Sequence, residues 1–247
     1  MLGKVFGSVM VALGVTGGAG GVAFAAVHPP SPAAARASGT SRLSNEWTVT
    51  RWVNVATLAP VRARPDAHAS AVAQLHALTE DGLPEVYVTL RSAPGADGRM
   101  WVQVRLPSRP NGRTGWVPRS VLGPYHTVRT VLTIDTGRLR ATLLRRGVPI
   151  WSTRVGVGAA ATPTPRGRFY VRELLRSGDP FYGPWAFGTS AYSSLSDWPG
   201  GGVVGIHGTN APALIPGRPS HGCIRLTNAA VTRLVGLMPI GTPVRIS

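Results

Sequence analysis

A single cysteine, Cys223, stands in this chain of 247 residues, within the run Ser220-His221-Gly222-Cys223-Ile224-Arg225-Leu226. A lone cysteine closes no disulfide within its own chain, and in an exported protein an exposed thiol needs a chemical reason to persist. Its neighbours suit a nucleophile. At an ordinary pKa of about 8.5 only a few per cent of a thiol is ionised near neutrality, and a histidine that takes the proton, helped by nearby positive charge, raises that fraction. His221 and Arg225 both qualify. Gly222 lets the backbone turn tightly, so that consecutive N–H groups, that of Cys223 among them, can face a developing oxyanion. The bland alternative is a buried, inert cysteine beside a satisfied histidine. The Ser-His-Gly-Cys run, with a second His-Gly upstream, favours chemistry.

That second element is Ile206-His207-Gly208-Thr209-Asn210. His207 precedes Cys223 by sixteen residues, a spacing of neither helix nor strand, so only the fold can join them. Both histidines are therefore candidate bases. An imidazole also needs an orienting group, and the carbonyl of Gly208 can serve without a carboxylate. No acidic residue lies between His207 and Ser247, although an earlier one such as Asp197 remains open. His207, His221 and Cys223 could bind zinc, but no further ligand stands out and no metal is expected.

Taken together, IHGTN and SHGCIRL resemble the signature of the L,D-transpeptidase (YkuD-like) catalytic family. The resemblance implies the general base at His207, its orienting carbonyl at Gly208 and the nucleophile at Cys223. Ser220, His221 and Gly222 take the places that shape the oxyanion pocket, and Arg225 sits where many members carry arginine. The implied reaction is acyl transfer through a cysteinyl thioester on peptidoglycan stem peptides, without a cofactor, in a protein open to covalent inhibition by carbapenem-type β-lactams. Hydrolysis of the thioester would make the same site an L,D-carboxypeptidase. An inert thiol would leave a wall-binding protein. A monomer is expected, with no nucleic-acid partner.

The elements that must position these groups are mostly short and apolar. With 43% hydrophobic residues and 31 glycines the chain can bury a core as one large or two small domains. Its net charge of +16 comes almost wholly from arginine, Lys4 being the one lysine, and suits an acidic partner such as wall polymer. Residues 1–25 read as a signal peptide, with Lys4, an apolar stretch and Ala23-Phe24-Ala25 as the cleavage site, which implies an exported, cell-envelope protein. An uncleaved anchor is the competing reading. Residues 26–46 read as a Pro/Ala-rich linker.

Residues 47–123 alternate short β-like runs with Pro/Gly turns: Val53–Leu58, Ala71–Leu75, Glu85–Leu90, Trp101–Leu106 and Thr114–Pro118. The patches VRARP, WVQV and GWVPRSVL resemble a bacterial Src-homology-3-like barrel. Trp101 and Trp116 read as core more than as a ligand groove. Residues 124–247 read as the catalytic domain, with longer strands at Thr127–Asp135, Leu139–Arg145 and Val148–Val157. The run Thr162–Val171 reads as scaffold. An aromatic loop over Phe181–Trp198 supplies lid candidates in Tyr182, Trp185 and Tyr192. One helix is expected over Asn228–Leu237, then a strand over Gly241–Ile246. The predicted class is mainly β: a small Src-homology-3-like barrel followed by a β-rich catalytic domain with one helix after the nucleophile.

Overall fold

In the computed structural model, which describes residues 39–197 and 199–247, runs of β-branched and aromatic residues form strands that glycine, proline and asparagine turns bring to an end. The signal peptide expected over 1–25, the greater part of the linker expected over 26–46, and Trp198 lie outside the described residues.

Eight strands make the first sheet: β1 (Ser41–Arg42), β2 (Thr50–Val53), β3 (Pro60–Arg62), β4 (Ala71–Gln74), β5 (Tyr87–Pro94), β6 (Met100–Arg105), β7 (Thr114–Pro118) and β8 (His126–Val128). They run β4-β3-β7-β6-β5-β2-β8, with β1 paired to β5. Ten strands make the second: β9 (Thr130–Asp135), β10 (Arg140–Arg145), β11 (Val148–Arg154), β12 (Gly156–Gly158), β13 (Gly167–Arg176), β14 (Trp185–Tyr192), β15 (Val203–His207), β16 (Gly217–Ser220), β17 (Ile224–Arg225) and β18 (Pro243–Ile246). Their order is β11-β10-β9-β18-β13-β14-β15-β17-β12-β16. The one α-helix among the described residues, α1 (Asn228–Val235), buries Val231 and Leu234 against this sheet, and its N-cap Thr227 accepts the Ala230 N–H at 3.2 Å.

Several expected boundaries move, each for a visible reason. The end of the expected linker is ordered: β1 pairs with β5, the Ser44 hydroxyl donates to the Thr89 carbonyl at 2.5 Å, and buried Glu46 pairs with Arg105. The strand expected at Val53–Leu58 lies earlier, as β2, because Asn54 turns its side-chain amide onto the Glu85 carbonyl at 2.8 Å. The run expected as Thr127–Asp135 is split between sheets: β8 pairs with β2 and β9 with β10. Trp101 is buried in the first sheet and Trp116 is half-buried. Half of the expected aromatic loop is strand β14.

The two sheets belong to one compact unit and are joined by a buried polar clasp. Arg172 of β13 bonds Glu85 through two nitrogens and Glu80 through one, while Tyr192 donates to Glu80 at 2.6 Å. Arg172 and Glu85 are 3% and 2% exposed, so neither has water to fall back on.

Candidate functional site

Strand pairing turns distant sequence into neighbouring side chains. β15 runs parallel to β17 with Ile206 opposite Ile224 and His207 opposite Arg225, so the two isoleucines face the core and His207 and Arg225 the other side. One step back along that pair, the Gly205 N–H points at Cys223 Sγ, 3.4 Å away. A methyl placed on Gly205 would lie 3.6 Å from His207 Cδ2 and 3.8 Å from Cys223 Sγ. Imidazole and thiol therefore flank one bare patch of backbone, and the segment from Thr209 to Pro216 together with β16 closes the interval.

His207 is 1% exposed and its Nδ1 lies 2.6 Å from the Gly208 carbonyl oxygen. A carbonyl only accepts, so Nδ1 carries the proton and Nε2, on the ring edge that faces Gly205, keeps its lone pair. Tyr182 meets the imidazole edge-on at 4.9 Å and Phe181 lies parallel at 6.3 Å, on a one-turn 3₁₀ segment (Pro180–Tyr182) capped by the Asp179 carboxylate. Burial between these rings, with some repulsion from Arg225, lowers the His207 pKa to about 4 despite the Gly208 hydrogen bond. Burial likewise raises the Cys223 thiol, opposed by the Gly205 N–H and the Arg225 charge. Near neutrality the pair is thus thiol and neutral imidazole. Arg225 is buried, its guanidinium 4.7 Å above the Phe181 ring, and its Nε has no hydrogen bond among the described residues.

The turn before Cys223 is fixed from both sides. Gly222 sits at φ +124°, a left-handed conformation that side-chain-bearing residues rarely adopt. Its N–H goes to Ser220 Oγ at 3.2 Å, and that hydroxyl donates to the Cys223 carbonyl at 2.6 Å. The expectation that both amides face an oxyanion is therefore corrected: Ser220 occupies the Gly222 N–H. The Cys223 N–H has no partner among the described residues. Thr164 donates to the Gly222 carbonyl at 2.8 Å, and because the peptide unit is planar and trans this aims the Cys223 N–H the opposite way. Thr164 thus positions the amide of Cys223, a contact the run Thr162–Val171 did not disclose. His221 is exposed.

Asn228 was legible only as a helix start, yet its Oδ1 accepts the Thr209 N–H at 2.9 Å and pins the turn after His207. A methyl on Gly208 would overlap that Oδ1 and press on Gly183 Cα at 3.0 Å. Gly208→Ala should therefore move the carbonyl that orients His207, lowering acylation of Cys223 by roughly tenfold or more with little loss of helical signal. Paired acylation rates and circular dichroism check this.

Of the three lid candidates only Tyr182 faces the site. It lines a cleft of about 430 Å³ with Gly205, His207, Cys223, Gly188 and Glu173. Trp185 is a β14 residue packed against the core, with Arg176 5.8 Å from its ring. Tyr192 is a clasp residue, buried against Glu80, the Pro107 carbonyl and Arg109, because β14 carries it toward the first sheet. Asp81, from the first sheet's side, also lines the cleft, so that part of the chain helps to build it.

The pKa directions give a pH profile. Folded His207 titrates near 4 and the unfolded chain near 6.5, so between them only the unfolded form gains a proton; stability is full above about 6.5 and is lost as pH falls through about 4. Acylation should keep its base down to the same limit. Its acid limb is expected near pH 4 in a kcat/KM profile; a limb at pH 6.5 would mean a solvated imidazole.

Comparison with known proteins bears on this geometry. Residues 129–246 match the family model described as the L,D-transpeptidase catalytic domain, YkuD. The chain is 35% identical over 125 residues to YkuD of Bacillus subtilis, covering 50% of this chain and 66% of that protein. It is 39% identical over 94 residues to YkuD of Bacillus licheniformis, covering 38% and 50% respectively. A solved L,D-transpeptidase of Enterococcus faecium is similar at 24% identity and a TM-score of 0.40, over 48% of this chain and 49% of that one. The chain spans between half and two thirds of the length of these curated relatives. The matched segment opens at Arg129, between β8 and β9, and takes in the whole second sheet, α1, His207 and Cys223. By domain, therefore, residues 129–246 of this chain belong to the L,D-transpeptidase catalytic family typified by YkuD.

Proposed function

We propose that the chain transfers acyl groups through Cys223, acting on peptidoglycan stem peptides at the bond between an L-centre and a D-residue. The observation that carries this is the pairing of a neutral, Gly208-oriented His207 with Cys223 across bare Gly205. His207 Nε2 takes the thiol proton as sulfur attacks the carbonyl. The oxyanion rests on the Cys223 N–H, with Arg225 close by. Collapse breaks the C–N bond, and the proton held by His207 passes to the departing D-alanine amine, leaving a thioester. An acceptor amine then attacks the thioester, gives its proton to His207, and the sulfur leaves as the thiol. Phe181 and Tyr182 keep the imidazole dry throughout.

Family membership and the site geometry together support this reading. The run Ala23-Phe24-Ala25 supports export to the cell envelope, and VRARP, WVQV and GWVPRSVL support a Src-homology-3-like, wall-associated first sheet. The test incubates purified protein with a stem tetrapeptide ending in D-alanine and an amine acceptor. D-alanine release with a crosslinked product is expected, and none from Cys223→Ser. Release with hydrolysed product alone would mark a carboxypeptidase, and equal release by Cys223→Ser would end the thioester mechanism.

A further inference from the structure

The cleft holds a carboxylate that the reaction above does not use. Glu173 is 2% exposed, it lines the same cleft as Cys223, and its Oε2 has no hydrogen-bond partner among the described residues. A buried, unpaired carboxyl oxygen is costly to keep, and the cost is relieved when a cation or donor arrives.

Its placement follows from a fault in the strand pairing. Phe169 and Val171 point into the core, and uninterrupted alternation would send Glu173 there too. The register of β13 on β14 shifts between Val171 and Glu173, and beyond the bulge Leu174 packs on the core while Glu173 and Leu175 line the cleft. Arg172, on the same face of β13 as Tyr170, points to the clasp, where Glu85 and Glu80 hold its guanidinium. Arg176, the arginine that lines the cleft, lies over the Trp185 ring. No salt bridge reaches Glu173 among the described residues.

A row across the sheet leads from this carboxylate to the thiol. Glu173 is opposite Gly188, Gly188 is opposite Gly205, and the Gly205 N–H points at Cys223 Sγ. The carboxylate lies over Gly188, filling the space a side chain there would need. The two glycines leave a floor of bare backbone between acid and nucleophile, on the order of 8 Å long from cross-strand spacings. Asp81 overhangs from the turn Thr79–Leu83, itself closed by Thr79 N–H to Leu83 carbonyl at 2.7 Å. Burial raises the Glu173 pKa, and Asp81 and Glu80 raise it further against the Thr79 hydroxyl and Arg172, as befits an acid awaiting a counter-charge.

We propose that Glu173, with Asp81, is an ammonium-binding subsite that selects donor peptides whose attacked residue carries a side-chain primary amine. An extended side chain of lysine length sets its nitrogen about six bonds from the attacked carbonyl, a reach that spans the glycine floor. The proposal rests on the acyl-transfer reading for the direction in which the donor lies.

The experiment compares two donor tetrapeptides, one with a free lysine-length side-chain amine and one with that amine acetylated. Binding is measured by calorimetry to Cys223→Ser, and kcat/KM for D-alanine release on the unmutated chain. The free amine should bind and react roughly tenfold to a hundredfold better, the range of one charge-assisted contact. Glu173→Gln should close most of that gap, and Asp81→Asn, an exposed change that does not threaten folding, should narrow it. An acetylated peptide that binds as well as the free amine overturns the subsite, as does a gap unchanged in both variants. A gap in binding without D-alanine release upholds the subsite and places the fault in the proposed reaction.

Discussion

Changing His207 to alanine is expected to slow acylation of Cys223 by about 10²- to 10⁴-fold, the usual cost of a missing general base. Among the described residues, His207 is the one histidine buried beside the thiol, with its proton fixed on Nδ1 by the Gly208 carbonyl at 2.6 Å. His221 is nearer in sequence, but it is exposed, and Gly222 at φ +124° breaks the extended run that would have put it on the thiol's face. His221→Ala should therefore cost far less. The check is the rate of iodoacetamide alkylation against pH in both variants; a thiol titration that moves with His221→Ala and not with His207→Ala would reverse the roles.

The largest effect on stability is expected from the clasp. Arg172→Leu removes the cation that holds Glu85, leaving a carboxylate at 2% exposure with no charge partner, and should cost about 3–5 kcal/mol in urea unfolding. Glu80, half-exposed, can turn to water, so the loss falls chiefly on Glu85. Replacing both partners, as Arg172→Met with Glu85→Leu, should recover most of it, because the penalty comes from an orphaned charge more than from a lost attraction. A single variant as stable as the parent would mean the pair is solvated. Unfolding should run as one transition for both sheets, since the clasp spans them.

How much of this was legible in the sequence depends on the range of the interaction. Cys223, His207 and Gly208 announce themselves because their chemistry is carried by residue type and by immediate neighbours, and the hydrogen bond from His207 Nδ1 to the Gly208 carbonyl is local. The helix after Cys223 is legible for the same reason: Thr227 caps it and Val231 and Leu234 recur at its period. Asn228, Thr164 and Glu173 were not legible, because each acts on a partner brought close only by strand pairing. Glu173 is hidden twice, since a bulge reverses the alternation that would assign its face. Tyr192 was misplaced as a lid because an aromatic-rich stretch looks the same whether it covers a cleft or clasps two sheets. The split between β8 and β9 escaped because Thr127–Asp135 is one run rich in β-branched residues with no glycine or proline to break it, and only the competing edge of β2 divides it.

The central claim is that Cys223 is the acyl-accepting nucleophile and His207 its base. Intact-protein mass spectrometry after incubation with a carbapenem, followed by peptide mapping, tests it most directly. The account predicts one adduct per chain, located on the peptide that contains Cys223, absent from Cys223→Ser and formed at least a hundredfold more slowly by His207→Ala. An adduct that persists in Cys223→Ser, or that forms as fast without His207, would contradict it.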